Sequence, residues 1–143
     1  MDKEKLNEAL IALALKRNEL TAMSYSDDKY DDVEEELHDL EDDFIDEYGE
    51  YLEDIIGDIH DQYCPESDVL SPIAYVAHEY TIVGKDDDGK PMFDVGMKEG
   101  VIVDVEELED RICRLVVIPN PLRFMIQSGK VMRKEVWFGE KVL

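Results

Sequence analysis

Between Ser26 and Tyr63 the chain reads SDDKYDDVEEELHDLEDDFIDEYGEYLEDIIGDIHDQY, and this stretch limits the fold more than any other. Tyr30, Val33, Leu37, Leu40 and Phe44 follow one another at steps of 3, 4, 3 and 4. That spacing winds one apolar stripe along a helix and suits a close helical partner. Around Gly49 the pattern widens, through Tyr48, Tyr51/Leu52, Ile55/Ile56 and Ile59, which calls for a broader covering surface. Gly49 and Gly57 each cost a helix about 1 kcal/mol relative to Ala and mark places for a bend.

The partner for the first part is upstream. From Lys3 to Ala22, Leu6, Leu10, Leu13 and Leu20 share one helical face, with Ile11 and Leu15 about 100° round from it. Such a helix is apolar on two sides and must be covered twice. The second helix supplies one cover. The other is either the C-terminal part of the chain or a second copy. On the second alternative Leu6, Leu10, Ile11, Leu13 and Leu15 form a dimer interface. The short turn at Ser24–Asp27 makes the two helices antiparallel, with a capping box there or Ser26 as N-cap. Some 20 residues of helix span about 30 Å and some 36 span about 54 Å. Helix one therefore reaches only to about residue 47, and residues 50–62 are left to pack on the β-rich segment downstream.

Past Pro65 the apolar period becomes two. Ile73–Val83 predicts a long strand, Lys85–Lys90 a hairpin turn through Asp88-Gly89, and Met92–Val95 the return. Val101–Val103 comes next, then a short helix over Val105–Ile112. Leu115–Ile118, apolar on both faces, suits a central strand. Leu122–Gln127 and Val131–Phe138 complete about six strands, joined mostly by tight turns and hence mainly antiparallel. The expected class is α+β: an N-terminal helical hairpin over residues 1–63, then a β-rich domain over 64–143 packed on the C-terminal half of helix two. The β part is a small sheet or a partly open barrel.

Charge separates the two parts. Residues 1–68 hold 24 acids and 5 bases, and residues 69–143 hold 13 and 10, which together give the net charge of −22. Such a field repels nucleic acid and anionic membranes and favours a basic protein partner. Helix two presents Asp31, Asp32, Glu35, Asp39, Asp42, Asp43 and Asp46 as a candidate acidic docking face; the plainer reading is a solvated surface. Acids at i,i+4, such as Asp39/Asp43 and Asp42/Asp46, each destabilise the helix by a few tenths of a kcal/mol, roughly. The tail could offset this with Arg111, Arg114, Arg123, Lys130, Arg133, Lys134 and Lys141.

The longest apolar run, Ala9–Leu15, is far short of the roughly 20 residues of a membrane span. The N-terminus has no leader pattern, and two cysteines are too few for a disulfide scaffold. A cytoplasmic protein with reduced thiols is expected.

Reactive signatures are missing. KDDDGK has Gly84 and Val95 where a calcium loop needs acids, so it reads as a turn. Glu35-x-x-His38 has di-iron spacing but occurs once, off the apolar stripe. His60 and Cys64, at i,i+4, lack a second ligand pair for zinc. There is no nucleophile elbow and no phosphate-binding glycine loop. No catalytic residue, metal or cofactor is assigned, and the reading leans away from an enzyme. A candidate ligand pocket at the helix–sheet junction comprises Tyr51, Tyr75, His78 and Tyr80, with core packing as its plainer alternative. The functional expectations are thus a self-associating, homodimeric interaction or scaffold protein, an acidic docking or decoy factor for a basic nucleic-acid-binding protein, or a small-molecule binder or enzyme at that junction.

Overall fold

A computed structural model describes residues 2–108, 110–129 and 132–139 of the chain. Helix α1 spans Lys3–Thr21, capped by the Asp2 carboxylate, which accepts the Lys5 N–H. Helix α2 spans Tyr30–Tyr63 and runs unbroken through Gly49 and Gly57, so neither glycine ends it. Its start lies later than the expected caps. Ser24 and Asp27 instead spend their side-chain oxygens on the N–H groups of Ser26 and Lys29, closing the turn, and Lys29 stands at the N-cap without a side-chain bond. Val33, Leu37, Phe44 and Tyr48 are buried, as the stripe requires.

The expected strand Ile73–Val83 is mostly something else. Pro72, with its fixed φ and missing N–H, opens a 3₁₀ turn over Pro72–Tyr75. Val76 then makes one isolated parallel bridge to Val117. Only β1, Thr81–Lys85, is a strand, and it pairs with β2, Pro91–Asp94. The turn between them is the expected hairpin. Asp86 accepts from the N–H groups of Asp88 and Lys90, and Gly89 takes φ +81°. The Asn120 amide, and after it the Lys90 N–H, hold the Asp86 carboxyl below the usual range.

A second antiparallel sheet has the order β3-β4-β5-β6, with β3 Val101–Val103, β4 Cys113–Ile118, β5 Arg123–Ser128 and β6 Met132–Phe138. It is open and does not close into a barrel. Leu115–Ile118 is buried throughout and occupies an inner strand, as its two-faced apolarity demands. Gly100 enters β3 at φ +106°, and a Cβ there would stand 2.7 Å from the Leu115 carbonyl oxygen, so β3 and β4 approach this closely only with glycine. The expected helix over Val105–Ile112 is reduced to a 3₁₀ turn, Glu106–Leu108. Glu109, Lys130, Val131 and Lys141 lie outside the described residues.

One continuous apolar cluster joins Leu6, Leu10 and Leu13 of α1, Leu52 and Ile56 of α2, and Leu115, Phe124 and Ile126 of the sheet. The boundary at Tyr63/Cys64 is a change of element and not a break in the core. β1–β2 and β5–β6 carry register irregularities at Ile82/Gly84 and Phe124/Met125. Across the two sheets Arg133 of β6 grips Asp94 of β2 through both guanidinium nitrogens, at 2.6 and 3.0 Å. That grip holds the Asp94 carboxyl below its usual range. A lowered native value stabilises the fold above the unfolded carboxyl's pKa of about 4 and is lost as pH falls through the native value. Asp94 is one-third exposed, so Asp94→Asn should cost at most about 1 kcal/mol at pH 7. Urea unfolding at pH 3 should show the two proteins closer together; an undiminished gap would refute the assignment.

Candidate functional site

The second side of α1 is covered by the rest of the same chain. Arg17 donates from Nη1 to the carbonyls of Val76 and Ala77, each at 3.1 Å. Asn18 binds both backbone groups of Tyr80, and Asn7 exchanges two hydrogen bonds with Asn120. Between these ties Leu6, Leu10, Ile11 and Leu13 are buried within one chain. Leu15 alone of the five expected interface residues is open, at 42 % exposure. Within the chain, the second cover of α1 is the C-terminal segment, against which these four side chains pack.

The tyrosine junction is a filled core. Tyr75 is fully buried; its hydroxyl meets His60 Nε2 at 2.9 Å and accepts the Leu70 N–H. Tyr80 is likewise buried, accepting the Ala77 N–H and donating to the Val117 carbonyl at 2.7 Å. Burial pushes both phenols up, well clear of neutral pH. Tyr51 is half-buried. His78 lies on the surface, its side chain 90 % exposed beside Glu99. The main cavities among the described residues do not bring these four together, and both buried hydroxyls are committed to partners within the core. A concavity of about 220 Å³ holds His78, but its other walls are Arg17, Leu20, Thr21 and Leu37.

His60 carries more structure than its place in the sequence suggested. It is 2 % exposed, and its Nδ1 lies 3.0 Å from the Ser67 carbonyl. A carbonyl only accepts, so Nδ1 bears the proton and Nε2 accepts from Tyr75. The imidazole thus fastens the end of α2 to the loop after it. Cys64 and Cys113 are buried and free. Burial, with Cys113 and Asp104 adding, pushes the Cys64 thiol up to about 11, leaving it no nucleophile at neutral pH. No group of three or more potential metal ligands occurs among the described residues; Glu35 and His38 are both exposed.

The acids of α2 divide by facing. Glu36 and Glu41, turned to α1, are matched: Lys16 Nζ reaches Glu36 at 2.7 Å and Arg17 Nη2 reaches Glu41 at 3.2 Å. Asp31, Asp32, Glu35, Asp39, Asp42, Asp43 and Asp46 are all exposed, and among the described residues none has an ion-pair partner. The described residues of the tail do not supply one. Arg123 bonds the carbonyls of Pro121 and Phe93, Arg133 holds Asp94, and Lys134 sits 4.8 Å over the Tyr63 ring. The cations that do reach α2 are Lys16 and Arg17 of α1, at Glu36 and Glu41, which no period-based reading of α2 could find.

In class this is an α+β protein, a helical hairpin followed by two open antiparallel sheets. No protein-family model, curated protein or solved structure matches the chain. No described helix is long and apolar enough to cross a membrane.

Proposed function

We propose that this is a non-enzymatic interaction protein that docks a basic protein segment against the outward face of α2. The observation that supports it is the division of charge along that helix. Of the acids of this 34-residue helix only Glu36 and Glu41 are matched from α1, while the seven from Asp31 to Asp46 named above lie exposed on one side of it with no ion-pair partner among the described residues. Repulsion within that row weakens the helix, and a cationic partner relieves it.

The test is the affinity of a lysine- and arginine-rich peptide, read at increasing salt. Binding should weaken at least tenfold between about 0.1 and 0.5 M, as a surface of exposed charges requires. The variant Asp39→Asn/Asp42→Asn/Asp43→Asn/Asp46→Asn should lose binding while gaining a few tenths of a kcal/mol per removed like-charge pair, roughly. A folded variant that binds as well as the parent overturns the reading.

A further inference from the structure

With α1 committed to the core, the surface best suited to another copy is the free edge of β1. This strand pairs with β2 on one side only, and all five residues, Thr81–Lys85, are exposed. The irregularity between Ile82 and Gly84 breaks the alternation of faces, and the consecutive Ile82 and Val83 stand 52 % and 60 % exposed. Asn18 satisfies the backbone of Tyr80 just before the strand, so the unpaired edge begins where β1 begins. An apolar, uncharged edge of this kind is ordinarily blunted by charge or covered. Here the charges stand only at the ends: Glu79 before the strand and Lys85 at its close. Neither has an ion-pair partner among the described residues.

That placement is self-complementary. We infer that two copies pair β1 edge to edge, antiparallel about a two-fold axis at Ile82, joining their two-stranded ribbons into one four-stranded sheet. The axis brings Lys85 of each copy against Glu79 of the other, Ile82 against its own counterpart and Val83 against Thr81. A parallel arrangement would instead set Glu79 against Glu79 and Lys85 against Lys85, and like charges opposite one another are destabilising. Isologous contacts close at two chains, so a dimer and not a filament is the product.

Light scattering across protein concentration, at about 0.15 M salt where the screening length is about 8 Å, should find the mass of two chains at the upper end. Val83→Lys, at an exposed position that leaves the core untouched, should give a monomer with unchanged thermal unfolding. Glu79→Lys and Lys85→Glu should each raise the dimer dissociation constant roughly tenfold through two like-charge contacts per dimer. The double reversal should restore it. A strict monomer at all concentrations, a dimer indifferent to Val83→Lys, or a double reversal as weak as the single ones would each overturn the pairing. Basic-peptide binding by Val83→Lys stays intact if the α2 reading holds, so the two proposals fail separately.

Discussion

Arg17→Ala is expected to destabilise the protein by about 3 kcal/mol, more than any other exchange of a charged residue in the hairpin. The side chain is only 13 % exposed and joins three segments: α1, which carries it, α2 through Glu41, and the backbone at Val76 and Ala77. Removing it strands two carbonyls on buried residues, each worth about 1–3 kcal/mol when left unpaired. Glu41, itself 18 % exposed, would keep a charge without its cation. Chemical denaturation measures the loss. Arg17→Lys should recover only part of it, since one ammonium cannot span both carbonyls and the carboxylate. Full recovery by lysine would mean that charge alone matters and that the fork geometry does not.

The second large effect separates two leucines that look alike in sequence. Leu10→Ala should cost about 3 kcal/mol and Leu15→Ala less than about 0.5. Leu10 is 1 % exposed in the core shared by α1, α2 and the sheet, whereas Leu15 is 42 % exposed. Thermal or urea unfolding of the pair decides it. Equal costs would mean that Leu15 is covered in solution, and covered by another molecule.

Much of the architecture was legible because it rests on local periodicity. The 3-4 stripe from Val33 to Phe44, the change of pattern near Gly49, the Asp88-Gly89 turn and the doubly apolar Leu115–Ile118 each carry a signal within a few residues. The misreadings share one cause. Ile73–Val83 alternates like a strand, yet Pro72 turns its start into a 3₁₀ helix and the tyrosine hydroxyls of Tyr75 and Tyr80 are drawn inward to backbone groups that lie off the strand. Alternation records which side chains are apolar and not which backbone groups find partners.

The candidate site divides in the same way. By itself the sequence determined that α2 carries an acidic face and that α1 needs two covers. Those conclusions rest on residue type and spacing along one element. Only the tertiary structure decided that α1 is covered on its second side by the chain's own C-terminal segment, that His60 and not His78 is the buried histidine, and that Lys16 and Arg17 reach Glu36 and Glu41 while the seven outward acids named above have no partner among the described residues. These are contacts between residues 15 to more than 100 positions apart. Their partners are set by how the elements pack in three dimensions, which the period of either element alone does not encode.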